Sequence, residues 1–139
     1  MKKTEFDPKS LTNITTEMSS VFENLDNIID NDENDTTSKN LFELEFDKFR
    51  LLLGKYMGKC LATVCEPFNE SLYSASLKKC VEIGFLPEIS DEFYNFLGKV
   101  NPLSNPKNKI SSDEISKFYS SNHEKMNLLY EHISNYIQN

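Results

Sequence analysis

The first 30 residues carry apolar side chains at alternating steps of three and four, a spacing that aligns them along one side of an α-helix. The positions in this seam are Leu11, Ile14, Met18, Val21, Leu25 and Ile28. Asp7 and Pro8 supply an N-cap and a first-turn proline, so the pattern predicts a helix over residues 8 to 30. The seam is narrow, which favours a place on the outside of a helical bundle.

A second helix is predicted over residues 40 to 66, and Glu66-Pro67 ends it. Its main apolar face consists of Phe49, Leu53, Tyr56, Met57, Cys60 and Val64. A second face with mostly small side chains consists of Leu51, Gly54, Gly58, Leu61, Ala62 and Cys65. A helix buried on two faces is central to its bundle, and small residues let a neighbouring backbone approach closely. We therefore expect another helix to cross at Gly54 and Gly58.

Three further helices are indicated by their end signals. One runs from about 69 to 83 and is followed by Gly84, while Ser90 is the N-cap of a short fourth helix. Ser111 and Glu114 have the capping-box spacing for a final helix that continues to residue 137. Because every element is helical, the predicted fold class is all-α. The expected architecture is an antiparallel helical bundle of about five helices, with a central helix that has one small-residue face.

The chain of 139 residues is long enough to bury a core in one domain without disulfides or metals. We divide it into a flexible N-terminus, residues 1–7, and a single helical domain, residues 8–139. The polar stretch 30–40 is predicted to be an acidic loop, and residues 101–111 a proline-containing loop.

The N-terminal helix needs a long partner, because its seam extends over about five turns with near-heptad spacing. The final helix has a similar apolar period and length, so we expect the two to pack together in the same chain. The alternative is docking on a second copy, which would give a homodimer through the N-terminal helix.

The formal net charge of −7 argues against nucleic-acid binding, which needs clustered basic residues. Arg50 is the only arginine beside 14 lysines, so bidentate recognition of phosphate or guanine has little support. The acidity is concentrated in residues 1–40, which carry nine acidic residues and four lysines, a net charge of −5.

A cytoplasmic location is expected. No apolar segment follows Lys2 and Lys3, so a secretory signal is not predicted, and no apolar run approaches the ~18 residues of a membrane span. Three cysteines form no scaffold pattern, which favours reduced thiols. Cys60 and Cys65 are turned ~140° apart on one helix, so they can neither pair nor share a metal, and we expect both to be buried core thiols.

No catalytic, cofactor-binding or metal-binding residue is predicted. His123 and His132 are nine residues apart and lie on opposite helix faces. The stretch from Asp32 to Glu43 resembles a calcium loop in length, but Thr37 replaces the required glycine. Phosphate-loop, nucleophile-elbow and zinc spacings are missing from the sequence, so a small enzyme is the least favoured class.

Two surface features point to a protein partner, although charged runs are often only solvated faces. The first is the acidic surface of Glu23, Asp26, Asp30, Asp32 and Glu33. The second is the basic, proline-containing stretch with Lys99, Leu103, Lys107 and Lys109. Complementary charge at an interface rim sets encounter rate and partner choice.

We therefore expect a small acidic protein-interaction module, such as an adaptor, chaperone, effector or complex subunit. The alternative is an inhibitor or immunity protein that occludes the basic surface of a toxin or nuclease. Very fast, salt-sensitive association with a basic partner would favour the alternative.

Overall fold

The computed structural model describes residues 8–30, 36–68, 73–99 and 111–138. Over these ranges the chain forms six helices and no strand, so the predicted all-α class is confirmed. The helices are α1 (Pro8–Asp30), α2 (Thr36–Thr63), α3 (Tyr73–Ile83), α4 (Asp91–Lys99), α5 (Ser112–Ser121) and α6 (His123–Gln138).

The expected number of about five helices is too low for the described part of the chain, because the final helix is interrupted at Asn122. The backbone N–H and the side-chain amide of Asn122 both donate to the carbonyl oxygen of Phe118, each at 2.9 Å. Its φ of −117° departs from helical geometry. An asparagine side chain that competes for a helix carbonyl favours such an interruption.

The bounds of α2 also differ from the prediction. The helix begins at Thr36, so part of the expected acidic loop 30–40 is helical. It ends at Thr63, where Cys65 has a positive φ of 59° and the N–H of Glu66 donates to the carbonyl of Leu61 at 2.9 Å. This is a Schellman end with cysteine in the position that usually holds glycine. Cys65 is exposed, so its predicted burial is wrong.

Other helix ends follow their sequence signals. Gly84 has a φ of 104°, and the N–H of Phe85 donates to the carbonyl of Cys80 at 2.8 Å, which completes a Schellman motif after α3. At the start of α5, the hydroxyl of Ser111 accepts a hydrogen bond from the N–H of Glu114 at 3.2 Å. The predicted glycine end and the predicted serine cap are confirmed at these positions.

α1 docks in the same chain, against both α2 and α6, whereas the sequence suggested the final helix alone. The buried members of its seam are Ile14, Met18, Val21 and Leu25, together with Phe22. Phe22 lies 5.4 Å from Phe49 of α2 and 5.8 Å from Tyr130 of α6 between ring centroids. These aromatic contacts place α1 in the groove between the two helices.

α2 contacts three other helices, α1, α3 and α5. We call its fully buried side the inner face; this consists of Phe46, Phe49, Leu53, Tyr56 and Cys60. The hydroxyl of Tyr56 donates to the carbonyl of Phe85 at 2.7 Å, and the hydroxyl of Tyr73 donates to the carbonyl of Arg50 at 2.7 Å. Buried hydroxyls with partners fix the position of α2 without leaving unsatisfied polar groups.

The close helix crossing lies at another glycine than expected. A side-chain carbon added at Gly98 of α4 would collide with the side chain of Ser74 of α3, so these two helices meet closely there. At Gly58 the atom nearest to the same carbon would be in the ring of Phe68, at 3.6 Å, and Phe68 belongs to the segment after α2. The predicted crossing at Gly58 is therefore wrong, while Gly54 is buried.

Candidate functional site

The acidic surface predicted from the sequence is only partly within the described residues. Glu23 is exposed on α1, as an interface residue would be. Asp26 instead accepts hydrogen bonds within the protein. The side chain of Asp30, together with Asp32 and Glu33, lies outside the described part of the chain.

Asp26 belongs to a hydrogen-bonded cluster that joins the first helix of the chain to the last two. The hydroxyl of Tyr119 donates to Oδ1 of Asp26 at 2.8 Å, and Nε2 of His123 lies 3.1 Å from the same oxygen. Tyr119 is 1% exposed, and burial together with Asp26 raises its pKa, so the hydroxyl remains a protonated donor. This cluster connects α1 to α5 and α6, and its arrangement favours a structural role over acid–base chemistry.

The second predicted surface cannot be placed. Leu103, Lys107 and Lys109 lie outside the described residues, and so does the side chain of Lys99. The predicted site in this stretch therefore stays a prediction.

Two thiols, Cys60 on the inner face of α2 and Cys80 on α3, have the properties of core residues. Cys60 and Cys80 are buried and free, as expected for Cys60. Burial raises the pKa of each thiol to about 12, which keeps both neutral and weakly nucleophilic near neutral pH. The hydrogen-bond partner of His132 is a backbone carbonyl: its Nε2 is 3.0 Å from the carbonyl oxygen of Gly84.

The most distinctive surface lies on the side of α2 that points away from the core. We call it the outer face, and it consists of Leu41, Leu44, Lys48, Leu51, Lys55 and Gly58. Steps of three and four separate these residues, so they lie in one row about 25 Å long. Leu44 is 61% exposed and Leu51 is 43% exposed. The leucines of this row are exposed, although the opposite face of α2 is fully buried.

One groove follows the outer face on the side of α1. This α1–α2 groove has a volume of about 390 Å³, an apolar floor that includes Val21 and Leu52, and a mixed rim. On the rim, Lys48 pairs with Glu45 at 3.0 Å, and the amide of Asn24 donates to Glu45 at 3.2 Å. Lys48 and Glu45 on this rim therefore compensate each other.

A second groove lies on the other side of the outer face and differs in charge. This Gly58 groove has a volume of about 490 Å³ and is lined by Leu51, Gly54, Lys55, Gly58, Lys59 and Phe68. Among the described residues, the charged ones that line this groove are both lysines. An apolar floor with lysines at the edge can receive a chain segment that carries both apolar and acidic side chains.

Sequence reasoning assigned Leu51 to a buried face and gave Leu44 no role. The sequence does contain a signal for an exposed apolar row, because Leu44 and Leu51 are seven residues apart and Leu41 extends the same row. Ala62 and Cys65 of the predicted second face are exposed as well, whereas Leu61 is buried. The predicted two-sided burial of α2 is therefore wrong for part of its length.

Within the ranges that the structure describes, no helix is long and apolar enough to cross a membrane. The same ranges hold no group of three or more His, Cys, Asp or Glu side chains placed to bind a metal ion. The shape, exposure and charge of the α2 surface are therefore the basis for a functional proposal. No protein-family model, curated protein or solved structure matches this chain.

Proposed function

We propose that this protein is an interaction module that binds a helix of a partner protein along the outer face of α2. The observation that carries the proposal is the exposure of Leu44 and Leu51 on a helix whose opposite face is fully buried. Single exposed leucines are common on protein surfaces, but Leu41 lies in the same row. Leucines at this spacing favour packing against one further helix.

The energetics favour binding at this position. Removing each of these leucines from water would contribute about 1–2 kcal/mol. α2 is already held by α1, α3 and α5, so a partner does not have to order the surface that it contacts. A preformed apolar row beside the α1–α2 groove therefore supports a docking role, as in an adaptor, chaperone, effector or complex subunit.

The proposal also keeps the antiparallel arrangement of the helical bundle and a function without catalysis, as expected from the sequence. A cytoplasmic location is supported by the free thiols of Cys60, Cys65 and Cys80, since such compartments keep thiols reduced.

The test is quantitative affinity capture from the native cell extract with three baits. These are the wild-type protein, the Leu44→Asp/Leu51→Asp double variant, and a Leu128→Asp control. Leu128 is 55% exposed on α6 and lies outside both grooves. Its replacement therefore also exchanges an exposed leucine for aspartate, but away from the proposed binding surface. Circular dichroism establishes that the three baits are equally helical.

We expect a partner that is recovered with the wild type and with the Leu128 variant but lost with the double variant. Recovery of the same proteins by all three baits would contradict the proposal. Light scattering addresses a homodimer. A dimer that the double variant disrupts would make a second copy the partner, and a dimer that it leaves intact would direct attention to α1.

A further inference from the structure

The Gly58 groove combines three features that are locally unfavourable for an isolated domain. Leu51 is exposed in its apolar lining, Gly58 lies in the interior of a helix, and Lys55 is one turn from Lys59. An interior glycine weakens a helix, and like charges four residues apart repel each other. Features that violate local preferences together at one place are expected at functional sites.

The glycine is not required by the packing of the fold. A side-chain carbon at Gly58 would meet the ring of Phe68 at 3.6 Å, an ordinary contact distance. Gly98 is different, since the same addition there would collide with Ser74. The effect of glycine at position 58 is therefore to keep the floor of the groove low, so that another side chain can approach the α2 backbone.

The lysines of the groove have no acidic partner in the described part of the chain. Neither Lys55 nor Lys59 forms an ion pair there. Glu66, on the segment that carries Phe68, lies 3.9 Å from Lys79, and Glu17 lines the α1–α2 groove together with Lys55 but forms no ion pair with it. Glu45, one turn before Lys48, pairs with that lysine. Within the described residues, the groove therefore presents two lysines without an ion-pair partner beside an apolar floor.

We infer that the Gly58 groove binds an acidic amphipathic helix of the partner protein. An apolar side chain of that helix would occupy the floor formed by Leu51, Gly58 and Phe68. Carboxylates on either side of it would lie beside Lys55 and Lys59. This inference rests on the proposed function and specifies the charge of the partner segment, which the leucine row alone does not determine.

The test uses two synthetic 18-residue peptides as probes. Both carry leucines at steps of three and four, and they differ only in their flanking residues, which are all glutamate in one and all lysine in the other. Fluorescence anisotropy measures binding to the full chain at low salt and at high salt. The variant is Lys55→Glu/Lys59→Glu, and the control is Lys117→Glu/Lys125→Glu on α5 and α6, which changes the net charge equally.

We expect the wild type to bind the acidic peptide about tenfold more tightly than the basic one, with the preference weakened by salt. The Lys55/Lys59 variant should reverse the preference, while the Lys117/Lys125 control should keep it. Urea unfolding establishes that both variants retain the stability of the wild type.

Three outcomes would overturn the inference. One is equal affinity for the two peptides, and another is an equal loss in both lysine variants, which would reflect net charge alone. The third is binding of neither peptide. None of these decides the proposed function, because the capture experiment with the Leu44/Leu51 variant tests it independently.

Discussion

The inner and outer faces of α2 both carry large apolar side chains, but these side chains have different surroundings. On the inner face, Phe49 and Leu53 are fully buried against α1, α3 and α5. On the outer face, Leu44 and Leu51 are exposed, and Leu51 lies between two open grooves. The comparison shows that a leucine of α2 is buried only where a neighbouring helix covers it. The neighbouring helices leave the leucines of the outer face exposed.

This difference separates stability from binding along a single helix. A substitution on the inner face removes contacts that the folded state requires. A substitution on the outer face removes little from the isolated domain, because the side chain is exposed in both the folded and the unfolded states. Variants of the two faces therefore measure different properties of the same element.

The largest expected effect is at Phe49. Phe49→Ala should lower the free energy of unfolding by about 3–5 kcal/mol, because it leaves a cavity in the core. The lost ring lies 5.4 Å from Phe22 and 5.6 Å from Phe46 between centroids. Urea unfolding monitored by circular dichroism measures the change.

Leu51→Ala is the matched control for Phe49→Ala, and it should change the free energy of unfolding by about 0.5 kcal/mol or less. Similar losses at Phe49 and Leu51 would mean that the two faces do not differ as described. A large loss at Leu51 alone would show that the outer face is covered within the domain.

The second effect is alkaline destabilisation by the thiols packed around the inner face. Burial raises the pKa of Cys60 and Cys80 from 9.0 to about 12. Between these values the unfolded chain loses thiol protons that the folded chain retains, so the free energy of unfolding falls as pH rises. Each thiol contributes up to ~1.4 kcal/mol per pH unit in this window.

Urea unfolding at a series of pH values from 8 to 11 measures this slope. Cys80→Ala should make it shallower, by about the contribution of one thiol. Cys65→Ala, which leaves both buried thiols in place, is the control and should keep the steep slope. A Cys80→Ala variant with the wild-type slope would contradict the assignment of alkaline sensitivity to the buried thiols.

The smallest effect is at Gly58 and has the opposite sign. Gly58→Ala should raise the free energy of unfolding by roughly 0.5–1 kcal/mol, because alanine favours the helix and the added carbon fits beside Phe68. Gly98→Ala is the contrasting variant and should destabilise the protein, since its side chain would collide with Ser74. Thermal unfolding of the two variants measures both changes, and a destabilised Gly58 variant would show that the groove is closed by packing.

Features encoded in adjacent residues were predictable from the sequence. The cap at Ser111 depends on Glu114 three residues later, and the end of α3 depends on Gly84. The seam of α1 was equally clear, because a regular apolar period needs no knowledge of the partner. These predictions succeed since each one involves only a few neighbouring residues.

Features that depend on distant residues were not predictable. Gly58 and Gly98 are both helical glycines, and only the position of Ser74 distinguishes a close crossing from an open groove. The outer face was missed because the burial of Leu51 depends on which side α1 covers. Cys65 was misplaced because local propensity disfavours cysteine at a positive φ, and the hydrogen bonds of the helix end prevail there.

The hydroxyl of Tyr119 also has a consequence for the order in which the chain folds. Its acceptors, the carbonyl of Phe22 and the carboxylate of Asp26, are 97 and 93 positions earlier. At typical synthesis rates a ribosome needs roughly 5 to 20 s to make the intervening residues. During that interval α1 can meet α2 but not α6, so part of its seam stays exposed on the nascent chain. Segments with this history are the ones that chaperones protect during synthesis, and α1 is therefore the segment of this protein most in need of that protection.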